Sequence, residues 1–300
     1  MVPTLKAEFR KLLTVRSTYI MAISAILLVS LFTYFGTSKT VYEEKTVEPP
    51  AAAQQQSGES ERQAANDQPP PETVIRVSGD LPKERLITHL QDNIPVVALI
   101  IAIAVVLLMG HEFRYNTIAY TLTASNSRSK VLISKILVSA VFTVVVTLLA
   151  ISAIVAVTYA AVHIKDLNLP PQTYDWGYIL ARLVGYTLGF SLMALAIITL
   201  LRNLIAGVVA PFLLLTIDAI VGGLLLNWQN IEPSKVLPFS ALNRIESLGA
   251  DYLPKNMPDD GIADLQLLPA TVLGATAIFT AYFIGIWIVG WYLFLKRDAI

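Results

Sequence analysis

Few residues in this chain have the types and spacing that catalysis or metal binding requires. The pair His111-Glu112 begins like the zinc-protease motif H-E-x-x-H, but the fifth residue is Tyr115, which cannot replace the second histidine. The chain has no cysteine, so thiolate catalysis and Cys-ligated metals are excluded. No G-x-x-x-x-G-K-[ST] motif for nucleotide phosphates occurs. We therefore expect this chain to be neither an enzyme nor a holder of a cofactor or metal.

One long polar segment, His111–Lys135, carries a strong positive excess and lies between two very apolar runs. Its pattern predicts a short helix at Tyr115–Thr123, then a Ser/Asn-rich turn, then a further helix that begins near Arg128. On the short helix, Tyr115, Ile118 and Leu122 recur at helical spacing and form one apolar stripe. Beside a membrane, such a stripe lies in the interface or docks into a groove on another protein. The alternative is a solvated loop that only supplies topogenic charge.

Two charged residues lie inside apolar runs, Arg182 and Asp218. Counted from the polar turn at 202–203, they lie at depths of roughly 30 and 22 Å, at 1.5 Å for each helical residue. Intramembrane charges are costly and are usually paired or turned to a cavity, so we hypothesise an Arg182–Asp218 pair. The alternative is that Arg182 alone extends to the headgroups. Close to Arg182, the small residues Ala181, Gly185 and Gly189 recur every four positions and predict a face for close helix packing.

The composition is that of an integral membrane protein. Apolar residues make up 55% of the chain and charged residues only 15%, against about 25% charged residues in typical soluble domains. The charges are segregated, which leaves several runs near or above the ~18–20 apolar residues that cross a bilayer. The first run follows a basic stretch but lacks an A-x-A-like cleavage site, so we interpret it as a spanning helix.

The pattern predicts an all-α integral membrane protein with six transmembrane helices and an amphipathic N-terminal helix. That first helix, at 1–18, combines an apolar stripe with basic residues and suits the headgroup layer. The expected spans are 19–35, 94–110, 136–162, 178–201, 204–226 and 267–294. The expected connections are a long loop at 36–93 with a disordered or extended linker at 48–72, a basic loop at 111–135, a short loop at 163–177, a loop with an interfacial or re-entrant helix at 227–266, and a tail at 295–300.

The distribution of Lys and Arg predicts the orientation of the chain. The N-terminal segment and the 111–135 loop each carry four basic residues and one acidic residue, and the 202–203 turn and the C-terminal tail are also net positive. The loop at 36–93 has ten acidic and six basic residues, and the other alternate loops are net acidic too. By the positive-inside rule, we expect both termini to be cytoplasmic.

Together these features resemble the ABC-2 type permeases, the membrane subunits of a large group of ATP-binding cassette exporters. The 111–135 loop resembles the family's pattern of an acidic residue, a Gly-Thr pair, a Leu, then a small residue with Arg and a following Lys. Asn116 stands where the family usually has the Gly. The matching residues are Glu112, Phe113, Arg114, Thr117, Ile118, Leu122, Ser127, Arg128 and Lys135.

Two further elements are similar to features of that family. The segment Glu8-Phe9-Arg10-Lys11 resembles the elbow helix that precedes the first span, and Leu237-Pro238-Phe239-Ser240 resembles a Leu-Pro-Phe element that follows the fifth. The resemblance covers the chain apart from the first external loop.

The resemblance implies a permease subunit in the cell membrane that contacts membrane lipids and works as a homo- or heterodimer. A separate ATPase subunit with Walker motifs, which holds ATP and Mg, would bind the 111–135 loop. Tyr115, Ile118 and Leu122 would be the buried contacts, and the charged residues around the stripe, chiefly Glu112, Arg114 and Arg128, would fix the register at the rim. The spans hold few polar groups, which favours export of an apolar or amphipathic cargo, and no nucleic-acid partner is expected.

Other functions stay open at this point. In a membrane-anchored sensory or binding protein, the 36–93 loop would be the working part. An ion-coupled secondary transporter would need more polar residues at mid-membrane and inverted internal repeats. A lipid-modifying enzyme would need clustered polar residues that face each other within the spans.

Overall fold

A computed structural model describes residues 2–37, 42–44, 75–77, 85–115, 117–124, 127–165, 173–229, 231–248 and 271–296. The predicted linker at 48–72, Asn116 and the last residues of the tail lie outside this part of the chain. The helices are α1 (Val2–Thr14), α2 (Arg16–Gly36), α3 (Arg85–Arg114), α4 (Thr117–Ala124), α5 (Arg128–Ile164), α6 (Trp176–Leu201), α7 (Leu204–Gln229), α8 (Pro238–Glu246) and α9 (Val272–Lys296), and a 3-10 turn spans Pro233–Lys235. Two short strands, β1 (Tyr42–Glu44) and β2 (Ile75–Val77), pair antiparallel.

Among the described helices, α2, α3, α5, α6, α7 and α9 are long and apolar enough to cross a membrane. Their most apolar windows have mean hydropathies between 1.9 and 2.8. The prediction of a helical, multi-pass membrane protein with six spans is therefore confirmed at this level. The side of the membrane that each terminus faces stays a prediction.

Helices α3 and α6 form the centre of the bundle. In the most apolar window of α6, 67% of the residues are buried, against 11% in α9 and 17% in both α2 and α7. The core is formed by aliphatic side chains such as Ile94, Ile101 and Leu183, which the neighbouring helices cover. The outer helices turn rows of Leu, Ile, Phe and Tyr outward, which suits a hydrocarbon surrounding.

Helix α3 begins at Arg85, well before the predicted start of the second span at residue 94. Two polar residues of its first turns, His89 and Asn93, are buried with partners, which a window of apolar residues cannot detect. The His89 ring is 3.2 Å from the Thr37 hydroxyl, and Asn93 donates to the His89 carbonyl at 2.8 Å. Arg85 donates to the Gly36 carbonyl. These contacts fix the start of α3 against the end of α2.

The connection between α6 and α7 takes only two residues. Arg202 ends α6 in the left-handed region, with φ of 50°, the backbone conformation that commonly terminates helices. Asn203 then accepts from the Ala206 backbone N–H and caps α7. This tight turn makes α6 and α7 neighbours, as the sequence predicts.

The small-residue face of α6 is used at only one of its three predicted positions. A side chain at Gly189 would lie about 3 Å from Phe279 of α9 and Leu242 of α8. Ala181 is exposed, and a Cβ added at Gly185 would meet no atom of the described residues within 4 Å. Of these three positions on α6, only Gly189 lets neighbouring side chains approach the helix closely.

Two hydroxyl pairs join α5 to α6 inside the apolar bundle. The Thr143 and Ser191 hydroxyl oxygens are 3.0 Å apart, and Thr147 donates to the Thr187 hydroxyl at 3.0 Å. All four residues are buried. Side-chain hydrogen bonds between helices typically contribute about 0.6 kcal/mol in a membrane, so the pairs chiefly fix how α5 lies on α6.

We expect Thr147→Val and Thr187→Val to be coupled in a double-mutant cycle, with an interaction free energy of about 0.5–1.5 kcal/mol. The cycle is measured by denaturant unfolding in detergent. Ser152→Ala is the control, because that exposed hydroxyl bonds only the Leu148 carbonyl of its own helix. Additive effects of the two valine substitutions would show that the Thr147–Thr187 bond contributes nothing.

Candidate functional site

The two ends of the bundle carry different polar groups. We call one the basic end: it comprises α1, the C-terminus of α3, α4, the N-terminus of α5, the 202–203 turn and the C-terminus of α9. The opposite end, which we call the α8 end, holds α8 and the first turns of α3 and α6. Contacts between the elements define these ends: Arg128 donates to the Leu295 carbonyl at the basic end, and Arg182 bonds carbonyls of α8 at the other.

Four charged side chains form a cluster at the basic end, of which three are buried and the fourth, Lys11, is partly exposed. Lys135 of α5 donates to Glu112 of α3 at 2.6 Å and to Glu8 of α1 at 3.1 Å. Lys11 bridges the same two carboxylates, at 2.9 Å from Glu112 and 3.0 Å from Glu8. Glu8, Glu112 and Lys135 are 1%, 7% and 3% exposed. The predicted place of Glu112 at the rim of an interface is therefore corrected, because its carboxylate is buried against Lys135 and Lys11 of the chain itself. The cluster has two positive and two negative charges, so its formal net charge is zero.

The cluster keeps Lys11 charged. Burial lowers the pKa of Lys11, but the hydrogen bond and charge of Glu112, together with those of Glu8, outweigh it and the net shift is upward. One Glu112 oxygen, Oε2, is buried without a hydrogen-bond partner among the described residues. Glu8 and Lys11 of α1 bind Lys135 of α5 and Glu112 of α3, which also bind each other. The cluster therefore fixes α1, α3 and α5 relative to one another.

Helix α4 lies against this end of the bundle with its apolar stripe divided between two surroundings. Ile118 is 4% exposed and belongs to the core of the chain itself, and Leu122 packs partly against that core. Tyr115 lies just before α4 and is 63% exposed, and Tyr120 of α4 is 76% exposed. The predicted set of three outward contacts is therefore corrected: Ile118 anchors α4 from within, while Tyr115 and Tyr120 face outward.

The other residues predicted in this loop surround α4. The Tyr115 ring stacks on His111, and the Arg114 guanidinium lies 5.6 Å from its centre. Thr117 is exposed and Phe113 packs partly against the core. Ser127 precedes the first residue of α5 without a capping bond from its side chain, and Arg128 donates to Leu295 of α9 at 2.9 Å.

At the α8 end, the two intramembrane charges bind opposite ends of one short helix. Asp218 of α7 accepts from the backbone N–H groups of Phe239 and Ser240 at 2.9 and 3.0 Å, and from the Ser240 hydroxyl. Arg182 of α6 donates to the carbonyls of Ile245, Arg244 and Ser247 and to the Tyr178 hydroxyl, at distances from 2.7 to 3.3 Å.

Arg182 and Asp218 therefore do not form the direct pair that the sequence suggested. A helix of nine residues separates them, about 13 Å at 1.5 Å for each residue. The carboxylate meets the unsatisfied N–H groups at the helix N-terminus and the guanidinium meets the carbonyls at the C-terminus. Both positions match the helix dipole. Arg182 and Asp218 are thus connected through α8, since each binds one of its termini.

A buried carboxyl, Glu246, ends α8 beside Arg182. It is 6% exposed, and its Oε1 has no hydrogen-bond partner among the described residues. Burial raises the pKa of Glu246 to about 8, the charge of Asp92 adds to the rise, and Arg182 opposes it. The Tyr186 phenol of α6 also lies within electrostatic reach of the carboxyl. Glu246 is thus protonated over much of the neutral range.

Comparison of the chain with family models, with curated protein sequences and with solved structures finds no match. Within the described residues, no group of three or more His, Asp or Glu side chains could hold a metal ion. The polar chemistry described above is that of buried ion pairs, helix-end contacts and an exposed aromatic surface.

The sequence interpretation assigned no site role to Glu8, Lys11 or Glu246. A signal for Glu8 exists: it falls between Leu5 and Leu12 at i, i+3 and i+7, so it lies on the apolar face of an amphipathic helix. A carboxylate in that position needs a buried cation. Glu246 has no comparable signal, because its burial depends on how α8 folds back onto α6.

We expect Lys135→Ala to destabilise the protein by about 3–5 kcal/mol, because it leaves two buried carboxylates with only Lys11. Lys130→Ala is the control: Lys130 lies on the same helix but is exposed, so a change within about 0.5 kcal/mol is expected. Both are measured as unfolding free energies in detergent. Equal effects of the two substitutions would contradict the role of the cluster.

The raised pKa of Glu246 predicts that stability falls as the pH rises from about 4.5, the ordinary carboxyl pKa, to about 8. In this window the folded state holds a proton that the unfolded state releases. Glu246→Gln should flatten the decline and raise Tm at pH 8.5 while changing Tm little at pH 4.5. Asp92→Asn should shift the end of the decline to lower pH. An unchanged pH profile in Glu246→Gln would refute this role.

Proposed function

We propose that this chain is the membrane-spanning permease subunit of an ATP-driven transporter and that a separate ATPase subunit docks on α4. The observation that carries the proposal is the exposure of two tyrosines at the basic end, Tyr115 just before α4 and Tyr120 on α4, a short helix whose Ile118 is buried. Tyrosine supplies large contact area at low cost in conformational entropy and is enriched at the energetic centres of interfaces.

The position of α4 suits the transmission of force. Ile118 sits in the core and holds the helix to the bundle, and α4 directly follows α3 and precedes α5. Those two helices are tied to each other and to α1 through Glu112, Lys135 and Glu8. A partner that moves α4 would therefore move α3, α5 and α1 together as a rigid body.

The charge around α4 also supports a docked protein. Arg114 and Lys130 are exposed near it, and Arg128 is partly exposed. Cations at the rim of an interface steer the approach of an acidic partner and fix its register more than they add affinity. By the positive-inside rule, this end and both termini are expected on the cytoplasmic side, where an ATPase has access to ATP.

The cargo in this proposal is apolar or amphipathic. Between the polar residues at their ends, the described parts of the spans offer a few hydroxyl groups and two charges, Arg182 and Asp218, that bind α8. A cargo that needed several specific hydrogen bonds would not find them there. The direction of transport in the proposal is export, as the resemblance to ABC-2 permeases implies.

The test is purification from native membranes in gentle detergent, with mass spectrometry of the proteins that stay bound. Tyr115→Asp with Tyr120→Asp should lower recovery of an ATPase with Walker motifs by roughly tenfold or more, because both exposed rings become charged. Ile118 is left intact, since its substitution would disturb the core rather than the surface.

Trp228→Asp is the matched control, because Trp228 is also highly exposed but lies at the α8 end. It should leave ATPase recovery unchanged. Recovery of no ATPase with the folded parent protein would overturn the proposal and favour a sensory or binding protein. For that alternative, deletion of 48–72 is informative: β1 and β2 flank the deletion and can still pair. A sensor should then lose its response, whereas a permease should keep its partner.

A further inference from the structure

Helix α1 turns a buried face to the bundle and carries an apolar stripe beside that face. Glu8 is 1% exposed and Leu12 packs partly against the core, so the side of α1 that holds these residues faces the bundle. Leu5, Phe9 and Leu13 recur every four residues; the first two are partly exposed and Leu13 is 59% exposed. At 3.6 residues for each turn, this spacing places the three side chains in one row next to the buried face.

Exposed cations come next around the same helix. Lys6 and Arg10 are both exposed and lie four residues apart, so they share one face of α1. Each follows a residue of the apolar stripe by one position, which is about 100° around the helix axis. The cations therefore lie on the side of the stripe that is turned away from the bundle. Arg16, the first residue of α2, is exposed as well.

The outer surface of α1 has a positive charge. The described part of the basic end contains two acidic residues, Glu8 and Glu112, and both are buried in contact with Lys11 and Lys135. The formal net charge of that cluster is zero, so no carboxylate of the described basic end offsets the exposed cations of α1. A surface of one charge sign raises the local concentration of groups of the opposite sign. The chemistry that complements this surface is therefore anionic.

The connection of α1 to a spanning helix favours a lipid as the anionic partner. Only Val15, in an extended conformation, separates α1 from α2. The Tyr19 hydroxyl donates to the Leu13 carbonyl at 2.6 Å and holds the end of α1 to the first turn of α2. The exposed apolar row of the span, which begins with Ile20 and Ile23, follows directly. A lipid supplies both an anionic headgroup for the cations and hydrocarbon for the apolar stripe.

We propose that α1 is a binding surface selective for anionic phospholipids, with the headgroup at Lys6, Arg10 and Arg16 and the upper acyl chain at Phe9 and Leu13. Lys and Arg near a membrane surface each strengthen attachment to anionic lipids. Occupancy of this surface stabilises the bundle, because the same helix supplies two of the four charges in the cluster at the basic end. The surface is separate from the exposed tyrosines at α4 and does not depend on the proposed function.

The test uses the purified full-length protein in detergent, with native mass spectrometry of added lipid and thermal unfolding as the two readouts. Palmitoyl-oleoyl phosphatidylglycerol should bind more tightly than the matching phosphatidylcholine, and at roughly ten times its Kd it should raise Tm by roughly 3 °C. Lys6→Gln with Arg10→Gln should weaken phosphatidylglycerol roughly 25-fold, from about fivefold for each cation near a headgroup. The double variant should also lose most of the rise in Tm.

Arg114→Gln with Lys130→Gln is the matched control, since it removes two exposed cations from the basic end outside α1. The control should retain both the preference for phosphatidylglycerol and the rise in Tm. If the double variant in α1 fails to fold, Lys6→Gln alone serves, because Lys6 is exposed; it should weaken phosphatidylglycerol roughly fivefold.

Three outcomes would overturn the proposal. The first is no preference for phosphatidylglycerol in the parent protein, which would favour an acidic protein as the partner of these cations. The second is an equal loss of binding in the control variant. The third is full displacement of the lipid by roughly 10-fold excess inorganic phosphate, which would indicate a plain anion site. No ATPase enters this experiment, so its failure is distinct from failure of the proposed function.

Discussion

The structure depends most on the salt bridges among Glu8, Lys11, Glu112 and Lys135. Burial of an ion costs several kcal/mol, and attraction to a partner offsets that cost only when the geometry is good. Here each carboxylate meets both ammonium groups at 2.6–3.1 Å. Because α3 and α5 each supply a single charge, a shift of either helix leaves an uncompensated ion. Helix α1 supplies both Glu8 and Lys11 and loses their bonds to Lys135 and Glu112 when it shifts. Apolar packing in a lipid surrounding gives no comparable penalty for a wrong arrangement.

At the α8 end, buried charges are also compensated by partners, but the partners are backbone groups. Asp218 and Arg182 satisfy backbone groups at the two termini of α8 and so hold this short helix between α6 and α7. Backbone groups that lack partners are costly where water is scarce. Arg182 and Asp218 look like a functional pair in the sequence, but their contacts with the ends of α8 are a sufficient structural reason for charges at these positions. Glu246 is a further buried polar group at this end, and its raised pKa follows from burial beside that arrangement.

The sequence predicts much of this fold and part of the candidate site. Six apolar runs identify the spans, because segregation of charge over about 20 residues is a strong signal. The pattern missed the early start of α3, since Arg85, His89 and Asn93 look like loop residues until their buried partners are known. It misassigned the outward contacts of α4, because a stripe with helical spacing does not reveal whether it faces its own chain or another. Ile118 faces its own chain.

The distribution of polar contacts indicates which parts can move together. At the basic end α1, α3 and α5 share buried ions, and the Thr147–Thr187 and Thr143–Ser191 bonds join α5 to α6 near the middle. By contrast, the described contacts of α7 with the rest are mainly apolar, apart from Asp218 and the short turn to α6. Apolar surfaces slide at lower cost than hydrogen-bonded ones, since no polar group is left unsatisfied. In the proposed function, displacement of α4 would therefore carry α1, α3, α5 and α6 as one unit, and α7 would move relative to them up to Asp218, where α8 links α7 to Arg182 of α6.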